Sequence, residues 1–139
     1  MRRIILTTAA IVIFGTTSAF AGGFNVALIG QTGIGDLPGL GNQAVVDQRY
    51  TEHSSADVGQ AGAYNASGVY QVNGKYNAAV VRQYGLENQS LIVQYGAGGN
   101  GAETVQYGGY NQAIVVQGGI NSTAIVVQDG IGNQAFVAQ

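Results

Sequence analysis

The sequence predicts an all-β chain: a β-solenoid of about five stacked strand-turn-strand repeats that form two facing parallel sheets. Three observations carry that expectation. Seven-residue blocks that open on Asn or Ser and close on Gln six residues later recur along the chain. Charge is absent from alternate positions of these blocks. Paired blocks recur with periods of 23, 23 and 22 residues, from Ser54 through Asn77 and Asn100 to Ser122, and a fixed period in this range marks a stacked repeat architecture.

The step of six makes the blocks strands. Successive strand side chains point to opposite faces, so the opening residue, those two and four later, and the closing Gln share one face. In the central stretch that face reads Asn77, Ala79, Val81, Gln83 and then Asn88, Ser90, Ile92, Gln94. It is narrow, uncharged and bracketed by amides. Ten such blocks run from Asn25–Gln31 and Asn42–Gln48 to Asn133–Gln139, and they use ten of the fourteen Gln. The other four (Gln43, Gln89, Gln112, Gln134) follow an opening Asn and face the other way.

Charge gives an independent check on the period. Asp47, Asp57, Arg82 and Glu103 fall at outward positions, and Asp36, Arg49, Glu52, Lys75, Glu87 and Asp129 fall in expected turns. A helical reading fails on the content of Gly and β-branched residues, which disfavour helices.

The 139 residues suit one domain, and without Cys there is neither a disulfide nor a thiolate metal site. Residues 1–21 read as a signal peptide: Arg2 and Arg3, an apolar run, and Ala19-Phe20-Ala21 as a small-x-small cleavage site. Export then leaves three Lys/Arg against seven Asp/Glu, 3 − 7 = −4, which argues against a nucleic-acid footprint. Residues 22–41 form an N-terminal segment, in which Thr32–Gly41, with the only Pro and four Gly, reads as a loop. Residues 42–139 are the repeat domain.

One two-strand repeat cannot bury its face, because isolated hairpins are marginal in water. Copies laid at ~4.8 Å would build two sheets and align identical side chains in columns. Asn42, Asn65, Asn88, Asn111 and Asn133 make one column, and Gln48, Gln71, Gln94, Gln117 and Gln139 another. The alternate strands add Ser54, Asn77, Asn100 and Ser122, with Gln60, Gln83, Gln106 and Gln128. A buried amide needs partners, and its copy one rung away supplies them. Five rungs stand only ~24 Å tall at that spacing. Solenoids usually cap their ends and blunt their edge strands. Asn133–Gln139 carries no charge or Pro, so this end is expected to be open to another copy.

The Ser/Asn-x5-Gln-x4-Asn-x5-Gln pattern, with Gln-Tyr-Gly turns at Gln83-Tyr84-Gly85, Gln94-Tyr95-Gly96 and Gln106-Tyr107-Gly108, resembles curlin, the repeat subunit of bacterial curli fibres. The match covers roughly Asn42 to Gln139. The resemblance implies a secreted, amyloid-like homopolymer on the bacterial surface, serving biofilm matrix and adhesion. It also implies export through a dedicated outer-membrane channel and growth on a nucleator subunit. The inward Ser, Asn and Gln of the columns are then the amyloid-core ladder. Two departures matter. Here a block-like Asn25–Gln31 precedes the Gly-rich loop, so residues 22–41 are either an export segment or a split first repeat. Curlin nucleators tend to end in a basic, degenerate repeat, whereas Ser122–Gln139 is regular and has no basic residue. That favours the major subunit over the minor nucleator.

Other features of the sequence carry weaker signals. Gly96-Ala-Gly-Gly-Asn-Gly101 matches GxGxxG, but a dinucleotide site needs a helix to follow, and a strand block follows. His53 sits in a polar turn, and the carboxylates spread over different rungs, so neither a metal site, a cofactor nor a catalytic group is expected. Tyr84, Tyr95 and Tyr107 are expected to stack at turns. Outward residues become more apolar along the chain, through Leu91 and Val93 to Ile114, Val116, Ile125 and Val127, and exposed apolar patches mark contacts. Asp47, Asp57, Glu103 and Asp129 read as gatekeepers that slow assembly. The competing class is a soluble secreted β-solenoid binding protein, which would need capped ends and a uniform outward array.

Overall fold

A computed structural model describes residues 8–9, 25–33 and 41–139. The expected leader and its cleavage site lie outside the described residues, apart from Thr8 and Ala9. Among the described residues every regular element is a strand: β1 Thr8–Ala9, β2 Val26–Gly33, β3 Gln43–Arg49, β4 Ser55–Ala63, β5 Ala66–Val72 and β6 Ala78–Leu86. β7 Gln89–Gly98, β8 Gly101–Gly109, β9 Gln112–Ile120, β10 Thr123–Ile131 and β11 Gln134–Ala138 complete the chain.

The chain winds as a parallel β-solenoid. One sheet runs β1-β2-β4-β6-β8-β10 and the other β11-β9-β7-β5-β3. Below they are the even and odd sheets. All pairs are parallel except β1 with β2, which is antiparallel. From β2 to β10 the path makes about four turns, leaving five stacked strands in each sheet besides β1.

The sequence period sets the register. Gln31, Gln60, Gln83, Gln106 and Gln128 are direct partners along the even sheet. Gln48, Gln71, Gln94 and Gln117 are partners along the odd one. A one-residue slip would move every inward side chain to the outer face. The pattern prevents it: all twenty-four inward positions from Ser54 to Gln117 are buried.

Several boundaries differ from the sequence reading, among them the expected Gln-Tyr-Gly turns, whose Tyr and Gly lie within β6, β7 and β8. Thr32 and Gly33, expected in the loop, continue β2 because they pair with Ala61 and Gly62. Arg49 and Asp129, expected in turns, lie within β3 and β10, held by pairing to Val72 and Tyr107. In each case ladder hydrogen bonds to the neighbouring rung outweigh local turn chemistry.

Two kinds of arc join the sheets. On one side four residues connect Gln60 to Asn65, Gln83 to Asn88 and Gln106 to Asn111. The second of these is Gly62, Gly85 or Gly108, at φ of 112°, 123° and 101°. A Cβ on Gly85 would overlap the carbonyl oxygen of Gly108 above it. Left-handed backbone and rung-to-rung crowding together demand Gly there. Between the sheets lies a thin aliphatic seam: Val58, Val81, Val69, Ile92 and Val115 have no exposed surface. Burying each contributes roughly 1.5–3 kcal/mol.

Candidate functional site: the amide ladders and the two ends of the stack

The inward Gln residues form two continuous hydrogen-bonded columns. In the odd sheet Gln48 Nε2 donates to Gln71 Oε1 at 2.7 Å, Gln71 to Gln94 at 2.8 Å and Gln94 to Gln117 at 2.9 Å. The last step, Gln117 to Gln139, is 3.3 Å. In the even sheet the chain of donors runs from Gln31 through Gln60, Gln83 and Gln106 to Gln128, each step 2.7–2.8 Å.

The second amide hydrogen does something the sequence reading missed. It crosses to the facing sheet and donates to a backbone carbonyl at the start of a strand. Gln60 reaches Gln43 O at 2.9 Å, Gln83 reaches Ala66 O at 3.1 Å and Gln106 reaches Gln89 O at 2.9 Å. Gln71, Gln94 and Gln117 mirror this toward Ser55, Ala78 and Gly101. Each Gln therefore joins rung to rung and sheet to sheet. Ladder order was legible from the spacing of six. The cross-sheet bond depends on where the facing strand begins, and a single strand's pattern does not state that.

The Asn columns bond in the opposite sense. Asn65 Nδ2 donates to Asn42 Oδ1 at 3.1 Å, Asn88 to Asn65 at 3.1 Å and Asn111 to Asn88 at 3.0 Å. Each also caps its own arc. Asn88 Nδ2 lies 3.4 Å from Tyr84 O and 3.1 Å from Gly108 O. In the even sheet the backbone N–H makes the link: Ser54 N to Asn25 Oδ1, Asn77 N to Ser54 Oγ, Asn100 N to Asn77 Oδ1 and Ser122 N to Asn100 Oδ1, at 3.0–3.3 Å. There the longer arcs bring no carbonyl to Asn77, whose buried Nδ2 has no partner.

Asn25 and Gln31 extend both even-sheet columns by one rung. They were absent from the expected ladder, although the same spacing of six marks them. Burial fades at the ends. Asn42, Ser122 and Asn133 are half-buried and Gln139 is exposed. Ala44 and Val46 at one end, and Ala135 and Val137 at the other, only partly cover the core.

The four acidic positions are not one cluster. Asp47 pairs with Arg49 at 2.6 Å on β3. Asp57 pairs with Arg82 of the next rung, whose side chain crosses the space that a Cβ on Gly59 would need. Glu103 is half-buried on β8, and Asp129 is exposed near the end of β10. Glu52 pairs with Lys75 at 2.7 Å across two arcs. The Lys75 hydrogen bond, and then its charge, hold Glu52 below the ordinary carboxylate value, and Lys75 is raised in return.

Tyr84 and Tyr107 stack with centroids 5.0 Å apart and planes 8° apart. Tyr95 does not join them, because it follows Gln94 on β7 in the other sheet, where its exposed ring lies over Gly118. His53 stacks on Tyr76 at 5.1 Å. The GxGxxG stretch leads directly into β8 rather than a helix. Among the described residues no three His, Asp or Glu converge as metal ligands.

Fold and ladder together define a class: a repeat-built parallel β-solenoid whose interior is wired by amides. Residues 52–85 match the family model of the curlin associated repeat, a span that holds β4, β5 and most of β6. That span of the chain is similar to the curlin repeat. Comparison with curated proteins gives no match.

Proposed function

We propose that the chain is a secreted structural subunit of an extracellular curli-type amyloid fibre, polymerising by edge-to-edge strand addition rather than acting as an enzyme. The observation that carries this reading is the complementarity of the two ends. Gln columns donate toward β10 and β11, and Asn and Ser columns accept from that side. One end therefore offers Gln128 and Gln139 amide hydrogens with Asn133 and Ser122 acceptors. The other offers Gln31 and Gln48 carbonyl oxygens with Asn25 and Asn42 N–H groups. Once the leader is removed, and with it β1 on the outer edge of β2, a second copy that stacks β2 on β10 and β3 on β11 continues all four columns in register. It also closes Ala44 and Val46 over Ala135 and Val137.

Stacking of this kind is head-to-tail and heterologous, which generates an open filament. The Asn25–Gln31 block works as a first rung rather than only as an export segment. The regular stretch Ser122–Gln139, which has no basic residue, favours a major subunit over a nucleator. Biofilm matrix, surface adhesion, an outer-membrane export channel and a nucleating partner follow from curlin kinship. Asp47, Asp57, Glu103 and Asp129 act as gatekeepers on the outer faces.

The test is to incubate the purified protein and record fibre diffraction. A meridional spacing of ~4.8 Å with growth seeded by preformed fibres is the expected result. Persistent monomers at high concentration would overturn the assignment.

A further inference from the structure

We propose that the outer face of the odd sheet is a lateral docking face for the same face of a second copy, and that filaments bundle through it. This rests on the assembly reading above. The two outer faces differ in kind. On the even sheet every strand from β4 onward carries one outward charge: Asp57, Arg82, Glu103 and Asp129, a net 1 − 3 = −2. On the odd sheet β5, β7, β9 and β11 carry none. They present Tyr70, Leu91, Val93, Ile114, Val116 and Phe136 instead, and Phe136 is 69% exposed. The only charges of that face, Asp47 and Arg49 on β3, neutralise each other.

Charge decides which faces can meet. Even against even sets two negative faces together. Even against odd strips water from Glu103 and Asp129 without offering a partner, which opposes that contact. Odd against odd desolvates no charge from β5 onward. The apolar late residues noted in the sequence therefore divide. Ile125 and Val127 lie on the charged face beside Asp129, and Ile114 and Val116 lie on the neutral one.

Shape agrees with charge. A hollow of about 370 Å³ opens over Gly68 and Ala66, walled by Tyr70, Leu91 and Ile114. Gly68, Leu91, Ile114 and Phe136 form one outward column. A two-fold axis parallel to the strands sets β5 opposite β9 and β3 opposite β11. Ile114 of one copy then faces the hollow over Gly68 of the other, and Phe136 faces Val45. One copy offers a flat face of only ~23 Å by ~24 Å, roughly 550 Å², against ~800 Å² per partner in a stable complex. Single copies do not pair. Polymerisation makes the face continuous, so bundling follows filament growth.

The experiment compares Leu91→Lys with Ile114→Lys on the odd face against Val80→Lys with Val105→Lys on the even face. Fibre diffraction scores polymerisation, and electron micrographs with low-speed pelleting score bundling. The odd-face variant is expected to give cross-β filaments that stay single and lose low-speed pelleting, while the even-face variant bundles like the parent. Wild-type bundling by the odd-face variant, or loss of bundling by the even-face variant alone, overturns the proposal. If the lysines block polymerisation, Leu91→Thr with Ile114→Thr decides: thinner bundles uphold it and unchanged bundles overturn it. A parent protein with no cross-β pattern fails the assembly reading first, and the docking face falls with it.

Discussion

Gln83 donates one amide hydrogen to Gln106 Oε1 at 2.8 Å and the other to the Ala66 carbonyl of the facing sheet at 3.1 Å, while its own oxygen accepts from Gln60 at 2.7 Å. One side chain thus closes three hydrogen bonds in three directions, with no surface exposed to water. Ladder, arc and sheet separation meet in it.

Gln83→Leu keeps the volume, removes the cross-sheet bond to the Ala66 carbonyl and leaves the Gln106 oxygen and a Gln60 hydrogen without their ladder partner. Each orphaned buried group costs about 1–3 kcal/mol. Fibres are expected to dissolve at clearly lower guanidinium concentration, whereas the outward Gln43→Leu shifts that midpoint little. Gln83→Glu buries a carboxylate, whose neutral form is favoured by desolvation. It is expected to assemble only in acid, as followed by turbidity against pH.

Asn77 and Asn88 respond oppositely to the same change. Asn88→Ser removes side-chain bonds to Asn65, Tyr84 and Gly108, a loss of about 1–3 kcal/mol. Asn77→Ser removes a buried donor that has no partner. The column already accommodates serine at Ser54 and Ser122. Its expected effect is neutral to stabilising, and denaturant midpoints of the two variants measured side by side check the sign.

Gly85→Ala forces a Cβ into the Gly108 carbonyl at φ 123°. The expected loss is at least ~2 kcal/mol, because both backbone strain and a steric clash apply. Gly101→Ala meets open space at an ordinary φ and is expected to change stability by less than ~0.5 kcal/mol. Fibre growth rates separate the pair.

Asp57 and Glu103 share an outward column with Val80 between them. Replacing both by Asn and Gln is expected to shorten the lag before fibres appear, read from thioflavin fluorescence. Because Asp57 holds Arg82, the Glu103→Gln change alone gives the cleaner test of gatekeeping.

The Glu52–Lys75 pair sets a pH window for its arcs. Glu52 is held low, so its contribution is complete above the ordinary carboxylate value and is lost as pH falls through the lowered one. Lys75 is raised, so its part is complete below the ordinary lysine value and is lost only as pH rises past the raised one. The pair is intact through neutrality and opens in acid. The protection factors of amides near Tyr76, which remove the intrinsic pH dependence of exchange, are expected to fall in acid for the parent and to be low already at neutral pH for Glu52→Gln.

Much of this was legible because one rule, a Gln six residues after each opening Asn or Ser, fixes strand face, register and column at once. Ser54 to Gln117 obeys it without exception, and there sequence and structure coincide. What stayed hidden depends on where one rung meets another. The cross-sheet bond from Gln83 to Ala66, the Ser90–Thr104 contact of 2.6 Å inside the seam and the unpartnered Asn77 amide are set by arc length and sheet offset. Strand ends were misjudged at Thr32 and Asp129 for the same reason: their neighbours, not their own propensities, keep them extended.

The thin seam of valine and alanine has a calorimetric consequence. Among the described residues, buried polar side chains outnumber buried hydrophobic ones, eighteen to fourteen. Melting such an interior hydrates amides along with aliphatic carbon, and the two change heat capacity with opposite signs. The increment on unfolding is therefore small for a chain of this size, and the stability curve is correspondingly broad and flat. Heating and cooling away from the temperature of greatest stability then each weaken the fold only slowly.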